Sequence, residues 1–141
     1  MTEANPSATR PAVRPLSPHL SIYRWAITMM MSIAHRVTGS ALYFGTLLMA
    51  WWLIAVASGP NAYGVFQSVA SSWFGRLVLF GYTWALLNHL LGGIRHLIWD
   101  NIIGLEPGER EWLAGATLYG SIALTVVIWI VIYMFTGGLR S

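Results

Sequence analysis

The stretch "HLLGGIRHLIWD", residues 89–100, closes an otherwise apolar segment with two histidines, an arginine and an aspartate. Ionisable side chains in such surroundings are expensive and mark a function by default. Seven positions along a helix bring His89 and His96 to within about 20° of one another. Gly93 lies on that stripe, Gly92 flanks it and Ala85 continues it. One helix face therefore presents an imidazole, a stretch without side chains, and a second imidazole. Two chemistries fit. Glycine lets helix backbones approach, so the histidines bond across to a neighbouring helix. Alternatively, His89 is an axial ligand of haem iron, a usual role for imidazole, with Gly92 and Gly93 as the bare wall that a flat macrocycle needs.

Depth bears on the second chemistry. His89 lies six residues below Arg95, roughly 9 Å deeper along a helix axis. Earlier in the chain, "SIAHRVTG" puts Ser32, Arg36 and Gly39 on one face with His35 beside them. These residues sit at the end of their own apolar segment. His35 starts a helical turn or two too shallow to reach the level of His89, so a second axial ligand is expected from a partner subunit. His35 and Arg36 are placed to meet haem propionates instead. Arg36 also has a plain reading as an anchor snorkelling to the membrane surface. Ser32, one turn earlier, adds a hydroxyl to the guanidinium, a pair that suits a quinone carbonyl. Trp25 and Met29 to Met31 are candidate apolar walls, methionine being a flexible filler. Arg95 is expected to snorkel, Asp100 to cap or meet a partner, and His19 to pack or lie at the surface.

The elements that must position these residues are membrane helices. Of 141 residues, 56% are apolar and 9% charged, against about a quarter charged in a soluble domain. Val37 to Ala57, Leu77 to Ile94 and Leu113 to Thr136 carry no formal charge. They span roughly 31, 27 and 36 Å, against a bilayer core of about 30 Å. The fold expected is all-α: an integral membrane three-helix bundle with helices at about 32–58, 72–100 and 112–136. Residues 1–31 form an N-terminal cytoplasmic and interfacial segment, and 32–136 the anchor domain. "SGPN" and "GLEPGERE" are the breaks between helices.

Arg10, Arg14, Arg24, Arg36, Arg95 and Arg110 fall on one side of such a bundle, Arg76 and Arg140 on the other. The excess places the N-terminus and the second loop in the cytoplasm. The leader lacks the apolar core of a secretory signal. The absence of cysteine excludes disulfides, thiolate metal sites and thiol catalysis. No basic run interleaves with aromatics as a nucleic-acid surface would require. A transport path would want polar groups through the whole span, whereas the outer halves read as apolar.

"RPLSPHLSIY", "SIAHRVTG" and "HLLGGIRHLIWD" resemble, in order and spacing, the cytochrome b subunits of succinate dehydrogenase, the larger membrane anchors of respiratory complex II. The likeness covers about Arg14 to Asp100; the third helix matches in type. It implies a bacterial inner-membrane subunit that helps anchor a flavoprotein and an iron–sulfur subunit beside a second small membrane anchor. Electrons from succinate then reach ubiquinone at the membrane boundary. The resemblance implies His89 as haem b ligand opposite a histidine of the sister anchor. Ser32, Arg36, Ile33 and Trp25 would line the quinone site, and His35, Arg95 and His96 would lie around the haem. Relatives that carry a proline three residues after the tryptophan differ here, where Thr28 stands. The rival readings are a haem-free structural anchor and the anchor of a related fumarate reductase.

Overall fold

The computed structural model describes residues 22–136. Among them are four helices and no strand: α1 (Ile27–Ala57), α2 (Pro60–Ser71), α3 (Trp73–Asp100) and α4 (Pro107–Thr136). α1, α3 and α4 are long and apolar enough to cross a membrane. Each spans about 42–46 Å at 1.5 Å per residue, so each tilts or projects beyond the hydrocarbon.

α1 starts at Ile27, five residues before the expected boundary at 32. No glycine or proline interrupts Trp25 to Met31, so nothing stops the helix from extending back. His35 and Arg36 therefore lie two turns inside α1 rather than at its end. Residues 22–26 are exposed and non-helical. The rest of the expected interfacial segment, with His19, Arg10 and Arg14, lies outside the described residues, as does Arg140.

The "SGPN" break does more than separate two spans. Gly59 takes φ 99°, and Pro60 then opens α2 at the position where its missing N–H costs nothing. α2 is only 12 residues long and mixes Asn61, Gln67 and serines with its apolar positions, so it carries no span signal. It buries Phe66, whose ring meets Trp51 of α1 edge-on at 4.9 Å. Ser72 ends α2 and caps α3, its hydroxyl accepting from the Gly75 N–H at 3.0 Å. A methyl group at Gly75 would run into the carbonyl oxygens of Val69 and Ala70.

α1 and α3 pack antiparallel at close range. Gly45 of α1 lies under the Tyr82 ring, Gly39 against His89, and Gly92 of α3 against His35. α3 and α4 are joined by polar contacts instead. The buried Asn88 amide donates to Ser121 Oγ at 3.2 Å, and the Trp129 indole N–H donates to Thr83 Oγ1 at 3.3 Å. Ala114, Thr117, Ser121 and Thr125 make a buried stripe on α4. Thr117 and Thr125 each donate to a carbonyl four residues back in α4, and Ser121 to one three back. The α3–α4 interface is thus partly polar, but the hydroxyls on α4 are closed on their own helix rather than strung into a path.

Gly75→Ala should destabilise the α2–α3 corner by about 1–3 kcal/mol, the usual cost of overpacking against groups that cannot move. Gly64→Ala, on α2 with open space around it, should hold or raise stability by up to about 1 kcal/mol through helix propensity. Thermal melts of both variants in detergent check the pair.

Candidate functional site: an imidazole cluster between two membrane helices

α1 and α3 bring three histidines together. The His35 and His89 rings stack with centroids 4.0 Å apart and planes 7° from parallel. His96 meets His35 edge-on at 5.4 Å and Trp99 edge-on at the same separation. His35 thus reaches His89, contrary to the expectation from depth. Gly39 pairs with His89 and Gly92 with His35, so the two backbones differ in level by about one turn. The imidazole side chains close that gap. Face-to-face stacking nevertheless prevents both rings from pointing end-on at one metal between them.

His89 Nδ1 lies 3.2 Å from the backbone carbonyl of His35. A carbonyl only accepts, so Nδ1 is the donor in this contact, the tautomer that in a neutral ring leaves the lone pair on Nε2. His35 Nδ1 is buried without a hydrogen-bond partner among the described residues.

Arg95 does not snorkel. It is 3% exposed, its guanidinium lies 5.0 Å from the centre of the Trp99 ring, and its Nε and Nη1 have no hydrogen-bond partner among the described residues. Trp99 is in turn held by its indole N–H on the Gly104 carbonyl at 3.2 Å. The wall expected from Gly92 and Gly93 divides. Gly92 is occupied by His35, while Gly93 faces open space. Helical phase placed both on the histidine stripe without saying which would be covered by α1.

Ser32, Ile33 and Arg36 are exposed on α1, and Trp25 is 60% exposed just before it. Ser32 and Arg36, four apart, share a face. Neither the Ser32 hydroxyl nor the Arg36 guanidinium has a hydrogen-bond or ion-pair partner among the described residues. Trp25 packs edge-on against Tyr23 at 5.8 Å, and the Tyr23 hydroxyl bonds the Met29 sulfur. This side of α1 presents polar groups and apolar flanks that no other described element covers. Among the described residues no group of three or more His, Cys, Asp or Glu is disposed to hold a metal ion by itself.

The profile of the succinate dehydrogenase/fumarate reductase transmembrane subunit family matches residues 10–134. The chain belongs to this family. It is 43% identical over 122 residues to the succinate dehydrogenase cytochrome b556 subunit of Paracoccus denitrificans, covering 86% of this chain and 94% of that protein. The subunit of the same name from Rickettsia felis is 38% identical over 117 residues, 83% of this chain and 91% of its own length. The mitochondrial cytochrome b560 subunit of Sus scrofa is 44% identical over 91 residues, 62% of this chain and 53% of that protein.

The buried Asn88, one position before His89, and its α4 partner Ser121 do not stand out in the sequence. An asparagine within a run of 18 uncharged residues was the signal available.

A buried guanidinium with open nitrogens costs several kcal/mol unless an outside group completes it. Arg95→Met is therefore expected to leave the thermal midpoint of the chain alone in detergent unchanged or raised. In an assembly that supplies the missing partner, the same change should lower the midpoint. Melting both preparations checks this; a fall in the isolated chain would mean that the guanidinium is already satisfied within it.

Proposed function

We propose that this chain is a membrane anchor and haem b subunit of a succinate:quinone oxidoreductase, inactive alone and working with a flavoprotein, an iron–sulfur subunit and a second small anchor. The observation that carries the reading is His89: an imidazole inside a membrane span, its Nδ1 tied to a backbone carbonyl, in a chain of this family. That tautomer leaves Nε2 for iron, and hydrogen bonding of the other ring nitrogen is the usual support of a ligating histidine. The donor set fits haem b, which when bound takes up and returns one electron. His35, stacked on the face of His89, holds the ring but does not share its iron, so the opposite ligand comes from the second anchor. Arg95, buried with two open nitrogens, and His96 beside it suit carboxylates such as haem propionates; His35 and Arg36 lie on the neighbouring turns.

Ubiquinone is the substrate proposed for the open side of α1. Ser32 donates a hydrogen bond to one quinone oxygen. Arg36 stabilises negative charge that develops on oxygen as electrons arrive, a preorganised electrostatic role. Ile33 and Trp25 supply apolar contact. Among the described residues of α1 no carboxylate or tyrosine stands beside Ser32, and the proposal assigns the proton donor to another chain. The arginine distribution puts this end of the bundle at the cytoplasmic face of a bacterial inner membrane.

A second reading has its own support. The His35–His89 stack and the Nδ1 bond to a carbonyl would also satisfy two histidines in an anchor without haem. A reduced-minus-oxidised spectrum of the purified complex separates the two. A b-type band that disappears in His89→Ala is expected; no band in the wild type would remove the cofactor from the proposal. For the quinone site, Arg36→Ala should lower quinone reduction by about 10²-fold while succinate oxidation with an artificial acceptor persists. Equal loss of both rates would count against Arg36 as a quinone ligand.

A further inference from the structure

We infer that Gly39 is a positioning residue for His89: its bare Cα is the seat against which the ring is held so that Nδ1 meets the His35 carbonyl. The inference rests on the reading of His89 as a haem ligand.

A Cβ at position 39 would stand 2.9 Å from His89 Cε1, 3.4 Å from Nδ1 and 3.9 Å from Nε2. The edge of the ring that carries both nitrogens therefore faces this one position. The closest of the three atoms, Cε1, lies between the nitrogens. Pushing it away swings both of them and takes Nδ1 off the His35 carbonyl, now 3.2 Å distant. His35 covers one of its faces, centroid to centroid at 4.0 Å, so the ring gives way within its own plane or toward its other face, and moving back from position 39 draws Nδ1 away from α1. His35 is itself pinned, since a Cβ at Gly92 would come within 2.5 Å of its Nδ1. Each helix thus offers a glycine to the other's histidine, and the two seats brace one another. Alanine would be the better helix former at position 39. The observed glycine is explained by the ring that needs its space.

The test uses the purified complex with Gly39→Ala, His89→Ala, the double variant, and Gly81→Ala as a control in open space on α3. Gly39→Ala is expected to weaken haem retention by about 10-fold or more, as loss of support around a metal ligand does, or to shift the b-type band and its midpoint potential. Gly81→Ala should match the wild type in all three. A second readout does not need haem. The drop in thermal midpoint caused by Gly39→Ala should vanish when His89→Ala has already removed the ring. Should Gly39→Ala fail to assemble, recovery of assembly in the double variant supports the seat, and no recovery overturns it. Wild-type haem content, band and potential in Gly39→Ala overturn it too, as does an equal drop in midpoint with and without the His89 ring. Absence of a b-type band from the wild-type complex sinks the haem reading alone, and the melts then decide the seat.

Discussion

The close approach of α1 and α3 is the contact on which the rest of the site depends. Lipid tails are as apolar as leucine, so helices in a bilayer are not driven together by the hydrophobic effect. They associate through packing and through polar groups that have nowhere else to go. Glycines at 39, 45 and 92 remove the side chains that would hold α1 off α3, and aromatic or imidazole rings fill the space. Because His35 and His89 fill two of those positions, the register of the two helices and the placement of the imidazoles are one fact. The same register sets the direction of the open face of α1. Ser32 and Arg36 lie roughly 60–100° around the helix from His35. They therefore flank the α3 contact and look outward.

Buried polar groups in this chain fall into two kinds. Those between α3 and α4 are mostly closed. Asn88 donates to Ser121, Trp129 to Thr83, and Thr117, Ser121 and Thr125 to their own backbone. Each interhelical bond of this sort contributes about 0.6 kcal/mol, up to about 1.7, so together they fix α4 to α3 without a large energetic claim. Those where the start of α1 meets the end of α3 are open among the described residues: His35 Nδ1, and Nε and Nη1 of Arg95. Asn88 Oδ1 and, elsewhere on α3, Trp84 Nε1 are also open among the described residues. Open donors in hydrocarbon are unfavourable in the chain by itself. On the proposed reading those of Arg95 lie where the cofactor would, so groups that are unfavourable in the isolated chain become favourable contacts once an acidic partner arrives.

Uncharged runs of 18 to 24 residues were enough to read three spans, because length and hydropathy are properties of one segment. What the sequence left hidden needed a second segment. Helical phase puts His89, Gly92, Gly93 and His96 in their angular places, yet it does not say that α1 covers Gly92 and leaves Gly93 bare. Counting residues gives the depth of a Cα, but the His35 ring crosses the turn of height that counting left. Arg95 reads as a snorkelling anchor because arginine stems usually reach water; Trp99, one turn further on, supplies an aromatic face and keeps it in. α2 was missed for another reason. Twelve residues with serine, asparagine and glutamine look like a loop until Phe66 finds Trp51. The α4 stripe was silent because threonine and serine that bond their own backbone add little polarity to a hydropathy profile.

The open side of α1 has the opposite character from the packed side. Ser32, Ile33, Arg36 and Trp25 are all exposed, and a single helix cannot enclose a ring-shaped ligand. A binding pocket usually covers most of its ligand's surface, so these residues can form one wall only. On the proposed reading His89 is in the same position: its Nδ1 and one ring face are taken up by α1, and the iron that Nε2 would hold needs a further ligand from outside this chain. On the proposed reading, both incomplete features call for a second chain on the same side of the bundle. The α1–α3 contact then serves to hold a set of half-finished groups at fixed heights, so that docking of a partner completes the haem and quinone sites together.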